Sequence, residues 1–263
     1  MRSRSGGAIL IAMTTIVPLK LGFVNAFLIR GRTLALVDSG YPGMEGAILQ
    51  AIRNAGEDPA SLALIVATHG HADHYGSAAA LRKITKAPIA CGDLDAGEIE
   101  LGENRHLDPV GRSGRFARFF FRFAGGRYRS SATAPDILFS GPASMERWGL
   151  DVSVVPVPGH TPGSIAVLPG ASTAERWGEL QKGGLGRLPW AIAGDLLSGR
   201  FLAPREVRLP LFAWDLRSMA SSLRSLALAE TVYVGHGGPL RGEALTALAD
   251  RAEREAAIRD GGR

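Results

Sequence analysis

Seven side chains in this sequence have the chemistry of metal ligands and a spacing that lets them act together. Residues 62–76 read LALIVATHGHADHYG, so His69, His71, Asp73 and His74 crowd the end of an apolar run. Imidazole nitrogen and carboxylate oxygen suit zinc, with iron or manganese as borderline alternatives. In an extended loop His69 and His71 point the same way and can grip one ion. If a helix starts near Tyr75, Asp73 and His74 occupy its first turn and face a second ion. The bland alternative is a polar loop in which Asp73 caps the helix and the histidines are solvated, and it leaves the crowding without a reason. Three further candidates, His160, Asp195 and His236, each follow an apolar run by one or two small residues, as His69 does. Loops at strand ends of an open α/β sheet converge on one rim, where such folds place their sites. Of the six histidines only His106 stands outside these loops. Its simpler reading is an exposed residue, and its sharper one a lid histidine that reaches substrate.

The rest of the chain has to position those loops. Residues 62–68 have the length of a strand buried on both faces. Before them, residues 23–29 and 33–37 read as a hairpin around Gly31 ending at Asp38-Ser39-Gly40, and residues 44–55 as an amphipathic helix closed by Gly56. After them come a helix at 76–86, a short strand at 88–91 and a short helix at 93–101. The second half repeats this βαβ grammar, with strands at 152–157, 165–168, 190–193 and 231–234, a helix at 215–229 and a last helix at 240–259 rich in opposite charges. Residues 172–187 are polar and Gly-rich and read as a surface loop. Residues 7–18 read as an edge strand, because the apolar stretch 7–13 is short for a signal segment and no clean cleavage site follows.

At 263 residues and 46% hydrophobic, the chain can bury a full core and fits one large α/β domain or two fused halves. The net charge of +5 is carried by arginine, with lysine only at Lys20, Lys83, Lys86 and Lys182, which reads as coding bias more than as a nucleic-acid surface. Nucleic acid is therefore not the expected partner. The single Cys91 excludes an internal disulfide and a thiolate cluster, and it is compatible with a reducing, cytoplasmic setting. No stretch approaches the length of a membrane span, so a soluble protein is expected. Between residues 102 and 134 the register changes. Phe116, Phe119, Phe120, Phe121 and Phe123 are interleaved there with Arg112, Arg115, Arg118, Arg122, Arg127 and Arg129. Phe116, Phe120 and Phe123 share a helical face, which predicts an amphipathic helix packed on the domain or covering a pocket, with a homodimer interface and a membrane-surface helix as the other readings.

Four motifs, THGHADHYG (68–76), PGHTPGS (158–164), AGD (193–195) and VGHGG (234–238), together resemble the metallo-β-lactamase superfamily of metal-dependent hydrolases over residues 24–239. The resemblance implies an α/β protein with a four-layer αββα sandwich. It implies a single domain over residues 1–263, with similar halves at about 8–101 and 135–240, a helical insertion at about 102–134 and a C-terminal helix at 240–259. It further implies one divalent ion held by His69, His71 and His160, a second held by Asp73, His74 and His236, and Asp195 bridging both. Asp38 matches the family's first motif, where an aspartate supports the site without ligating metal; by itself it reads as a turn residue.

Two ions held mainly by neutral imidazoles keep a net positive charge that lowers the pKa of a bridging water toward neutrality. That hydroxide is the expected nucleophile, with Asp73 as the catalytic residue that orients it and takes its proton. Within the family, Gly70-His71 stands where the diiron flavoprotein branch has a Glu ligand, and Asp195 stands where one class of true β-lactamases has Cys. Nuclease branches usually carry a further nucleic-acid domain, and the glutathione-binding helical region of glyoxalase II is not evident. What remains is binuclear hydrolysis of a carboxylic ester, thioester or lactone, as in lactonase-like and thioesterase-like members. If the Phe/Arg helix lies over the metal edge, the small-molecule substrate carries an apolar acyl chain or ring with an anionic group. The alternatives are a phosphodiesterase or nuclease using the same two-metal clamp, a glyoxalase II-type or β-lactam hydrolase, and a non-catalytic sensor, which would be expected to have lost ligands.

Overall fold

The structure, a computed structural model, describes residues 14–105, 107–123, 130–182, 186–200 and 203–261. The expected strand start at residues 7–13, His106, and the side chains of residues 120–123 and Arg200 lie outside the described residues. The chain opens as an antiparallel meander of β1 (Thr15–Leu21), β2 (Val24–Arg30) and β3 (Leu34–Val37). Helix α1 (Glu45–Asn54) crosses to β4 (Leu62–Val66), which lies parallel to β3. Helices α2 (Ala72–Tyr75) and α3 (Ala78–Thr85) lead to β5 (Ile89–Gly92), parallel to β4. After α4 (Ala96–Leu101), β6 (Asp108–Pro109) and α5 (Gly111–Phe123), strand β7 (Ile137–Phe139) completes a sheet of order β1-β2-β3-β4-β5-β7.

The second sheet begins with β8 (Ala143–Ser144), β9 (Val152–Pro156) and β10 (Ile165–Pro169). Helix α6 (Trp177–Gln181) precedes β11 (Leu188–Ile192). A ribbon of β12 (Ser198–Arg200) and β13 (Ala203–Arg208) stands apart, and β14 (Phe212–Ala213) pairs with β6. Helix α7 (Leu216–Leu226), capped by Asp215, leads to β15 (Ala229–Tyr233), parallel to β11. Strand β16 (Leu240–Arg241) and helix α8 (Leu245–Gly261) follow, giving the order β16-β15-β11-β10-β9-β8.

Three apolar clusters stack these elements into four layers. Along β4, Leu64 and Val66 face one cluster, with Val152, Val154 and Val167 of the other sheet, while Ile65 and Ala67 face a second, with Ile48, Ile52 and Leu81 of α1 and α3. The period of two thus serves both faces, as it must in a strand covered on each side. Strand β9 does the same in the second sheet: Val152 and Val154 look inward, Val155 and the following Val157 toward α7 and α8. The result is an αββα sandwich.

Several expectations are corrected. The last helix begins at Leu245, not at residue 240, because Leu240 pairs with Val232 and extends the sheet. Residues 172–187 are not simply a surface loop. Trp177 and Leu180, one helical turn apart, are buried against α7 through α6. Helix α7 stops at Leu226, and Ala229, expected in the helix, instead starts the strand that pairs with β11. The helix expected across the Phe/Arg segment forms as α5, and of the three phenylalanines expected on its apolar face only Phe116 has a described side chain. Gly114 is buried and Gly111 and Ala117 half-buried, one row of small residues three apart, whereas Phe116 and Phe119 are 66% and 60% exposed.

Candidate metal centre

Each strand that delivers a candidate ligand ends at one rim of the sandwich. The loop after β4 brings His69 and His71, and α2 turns immediately so that Asp73 and His74 fall on its first turn. His160 follows β9, Asp195 follows β11 and His236 follows β15; the last two strands run parallel, so their ends share an edge. All seven predicted residues meet there.

They meet as two groups. His69 Nε2 lies 3.0 Å from His71 Nδ1, and His160 Nε2 lies 3.1 Å from the same atom. Three lone-pair nitrogens at that spacing need a cation or proton among them. In two of the three the other nitrogen is occupied: His160 Nδ1 donates to the Phe212 carbonyl at 3.0 Å, and His69 Nδ1 is 3.1 Å from Thr68 Oγ1. In the second group His74 Nδ1 bonds Asp38 Oδ2 at 2.8 Å and His236 Nδ1 donates to the Phe23 carbonyl at 2.9 Å, so both rings turn Nε2 inward. His236 Nε2 sits 3.3 Å from Asp73 Oδ2 and 3.2 Å from Asp195 Oδ2. Outer partners that fix ring tautomer and orientation are what metal-binding histidines require.

Asp195 lies between the groups, its Oδ1 3.4 Å from His74 Nε2 and its Oδ2 3.9 Å from His160 Nε2. His74 Nε2 and Asp195 Oδ1 are buried and make no hydrogen bond of good geometry, an arrangement that costs free energy unless a cation completes it. The ligand atoms of His69, His71 and His160, of His69, His74 and Asp195, and of Asp73, His74 and His236 each fall within 4.8 Å of one another. Gly235 makes the approach feasible, since a Cβ there would fall 2.3 Å from His74 Cε1 and 2.4 Å from Asp195 Oδ1.

The electrostatics divide the same way. Burial, and then the neighbouring imidazoles, push His69 well below the ordinary histidine value. Burial and His160 likewise bring His71 down to about 3, and burial lowers His160. This group is neutral at pH 7 and ready for a cation. In the second group burial opposes ionisation, but Asp195, Asp38 and Asp73 override it and raise His74 well above its ordinary value. Asp195 raises His236 to about 10. Burial works against the Asp73 carboxylate too, yet His74 and His236 hold it at about 2, and for Asp195 they likewise win over burial. Without an ion, protons on His74 and His236 balance the two carboxylates.

Asp38 supports the site as expected. Its backbone takes a left-handed φ of +61°, strained for a residue with a side chain, and it is held there by Thr68 N at 2.8 Å, Thr68 Oγ1 at 2.9 Å and the His74 ring. Sequence reasoning missed three other supports. Asn25 Nδ2 donates to the Val234 and Gly237 carbonyls, both at 2.8 Å, and so grips the His236 loop. Asn104 Oδ1 accepts from Ala72 N at 2.9 Å at the start of α2. Asp95, buried, accepts from both loops of the three-histidine group. An asparagine on a strand, one in a loop and an aspartate before a short helix carry no signal of their own, and each becomes visible only through its partners.

Residues 19–172 match the Metallo-beta-lactamase superfamily. This chain belongs to that superfamily. It is 29% identical to Metallo-beta-lactamase domain-containing protein 1 of Xenopus laevis, over 81% of this chain and 70% of that one. It is 27% identical to the uncharacterized protein YobT of Bacillus subtilis over 83% and 84%. A hydroxyacylglutathione hydrolase of Anaeromyxobacter dehalogenans is 31% identical over 51% of this chain and 37% of its own length. Among solved structures, the metallo-β-lactamase MIM-1 of Novosphingobium pentaromativorans superposes with a TM-score of 0.66 at 18% identity, over 95% of this chain and 90% of that one. The family protein TTHA1429 of Thermus thermophilus gives 0.58 at 21%, over 94% and 80%. At such identities the structural likeness is one of fold. Members of the superfamily are metal-dependent hydrolases, and the donor set here fits divalent ions.

Proposed function

We propose that this chain is a binuclear metallohydrolase that cleaves a carboxylic ester, thioester or lactone of a small molecule. His69, His71 and His160 would hold one ion, Asp73, His74 and His236 the other, and Asp195 would reach both. The observation that carries the reading is the Asp195 carboxylate, set between two groups of imidazole nitrogens that all turn inward. Zinc fits this donor set best, with iron or manganese as alternatives. When bound, such ions supply Lewis acidity toward a carbonyl oxygen and acidify water toward neutrality.

The protein's own groups do the rest. Asp73 is ionised at neutral pH, and its side chain keeps 21% of its surface exposed. It can therefore orient an attacking water by accepting its hydrogen bond and take the proton as the bond to carbon forms. His74 and Asp195, closed off from solvent, keep the opposite side dry and the geometry fixed. Similarity to a hydroxyacylglutathione hydrolase over half the chain supports an acyl substrate.

The apolar part of that substrate is assigned to a cavity of about 270 Å³ beside the His160 loop, lined by Leu94, Phe139, Pro158, Pro162 and Trp214 among others. Trp214 is 47% exposed, and its backbone N–H donates to the His160 carbonyl, which ties the cavity wall to a ligand. Elemental analysis of protein purified without chelator, then a screen of esters, thioesters, lactones and phosphodiesters on the zinc-loaded form, tests the reading. Two equivalents of metal and chelator-sensitive acyl hydrolysis support it. Phosphodiester cleavage alone would replace it with the phosphodiesterase reading, and a single equivalent after reloading would remove the binuclear centre.

A further inference from the structure

We infer that Asp95 is a positioning residue for the three-histidine group, holding in register the two loops that carry His69, His71 and His160; the inference rests on the metal reading above. Asp95 lies where a short turn (Asp93–Asp95) meets α4, and it is 1% exposed. Its Oδ2 accepts from Gly70 N at 2.8 Å and from Thr161 Oγ1 at 2.5 Å, and its Oδ1 accepts from Gly163 N at 2.9 Å. Gly70 is the residue between His69 and His71, and Thr161 follows His160. One carboxylate thus joins two ligand loops that are far apart in the sequence and belong to different sheets.

The cradle is closely built. A Cβ on Gly163 would fall 2.5 Å from Asp95 N and 2.7 Å from Asp95 Cγ, so the loop after β9 can approach only as glycine. Thr161 Oγ1 is also 2.7 Å from Ser164 Oγ, which locks the hydroxyl in the loop. Among the described residues no arginine or lysine pairs with Asp95. A buried carboxylate without a counter-charge is costly, and three donors together with a cation beyond the loops offset that cost. Asp38 fixes the second group by touching the His74 ring; Asp95 touches no ligand ring and acts through the backbone that aims two of the rings at the third. Ligand sites tolerate displacements of only about 0.5 Å, so freeing these loops weakens the ion they hold.

The test is a zinc titration against a chromophoric chelator on wild type, Asp95→Asn and Thr161→Val, with His71→Ala marking which of the two ions belongs to the three-histidine group. Thermal unfolding of each metal-free form runs in parallel. Asp95→Asn keeps the shape but turns an acceptor into a donor facing N–H groups. The expected result is an affinity loss of about 10–100-fold for that ion with the other unchanged, the range for partners that orient metal ligands. Thr161→Val should give a smaller loss in the same ion, and the double variant no more than Asp95→Asn alone. Equal weakening of both ions, or a less stable metal-free protein with both affinities intact, would overturn the assignment and leave Asp95 a general structural residue. If Asp95→Asn does not fold, Thr161→Val decides: loss at one ion supports the assignment, and unchanged affinity overturns it. A wild-type protein that binds no zinc would sink the metal reading itself, a different outcome from a variant that binds as wild type does.

Discussion

Asp195 and Asp73 are both carboxylates of the centre, and their surroundings assign them different tasks. Asp195 is enclosed and reaches both groups, so Asp195→Ala should lower the metal content and the turnover together, as read by elemental analysis and a chelator-sensitive esterase assay. Asp73 is the more open of the two. Asp73→Asn should keep both ions and lose turnover by about 10²–10⁴, the span typical of a proton-handling group; near-normal turnover with both ions present would take Asp73 out of the mechanism. The histidines set a pH dependence of the metal-free protein. An unfolded histidine titrates near 6.5, while folded His71 titrates near 3, with His69 and His160 also lowered. Between those values the unfolded chain binds more protons, so stability falls as pH drops from 6.5 toward 3. His236, raised to about 10, and His74 act in the opposite sense: they bind protons in the folded state that the unfolded chain has released, so stability also falls as pH rises from 6.5 toward 10. The thermal midpoint of chelated protein should therefore peak near pH 6.5, and a midpoint that climbs steadily to pH 9 would contradict the charge assignment. The seven side chains that meet at the rim were legible in the sequence because His and Asp crowd strand ends for few other reasons. Asp95 was not, since an aspartate before a short helix looks like any cap.

At the scale of elements, α5 is where pattern and packing part. A row of phenylalanines at helical spacing predicts an apolar seat, yet Phe116 and Phe119 stand exposed, and among the described side chains of the helix the buried row is Gly114 with half-buried Gly111 and Ala117. The reason is its anchorage. Strand β6, just before α5, pairs with β14, Val110 N donates to the Leu211 carbonyl at 2.8 Å, and Arg259 of α8 holds the Pro109 carbonyl. These bonds bring the helix backbone so close that a Cβ on Gly114 would fall 2.3 Å from the Leu211 oxygen. Gly114→Ala should destabilise the protein by about 1–3 kcal/mol, as overpacking does, and open residues 111–123 to protease. Gly46→Ala makes the control. A Cβ there meets nothing within 4 Å in helix α1, so the substitution should add about 0.5–1 kcal/mol in a denaturant titration. The same β6–β14 ribbon supplies the Phe212 carbonyl that fixes the His160 ring. Hydrophobic period therefore found α5 and most strands, but the close approach of the helix at Gly114 was set by backbone hydrogen bonds that no residue pattern displays.

For the molecule as a whole, the cluster between the sheets joins the two halves. Leu64, fully buried there against β9 and β10, should cost about 2–5 kcal/mol as Leu64→Ala, and the loss should appear as one cooperative transition because neither sheet keeps its inner face covered alone. Two separate transitions would mean that each half holds its own core. The layered architecture was legible from the alternation of strands and helices and from the motif set. The β12–β13 ribbon was not: Ser198 and Gly199 are buried but small, and β13 is exposed or half-exposed with Arg205, Glu206 and Arg208 among its residues, so neither strand follows an apolar period.

The centre draws His69, His71 and His74 from early in the chain and His236 from about 160 residues later, and the late histidine is gripped by the first hairpin through Phe23 and Asn25. On a ribosome that adds about 5–20 residues per second, the early imidazoles emerge roughly 10–30 s before their last partner. During that interval a nascent chain presents a partial chelate with no enclosing wall, and any ion it takes up is held by fewer donors than the finished protein offers. On the binuclear reading, metal choice is settled after synthesis, when the His236 loop docks on the first hairpin, so the ion found in purified protein should follow the metal supply at the end of folding more than that at its beginning.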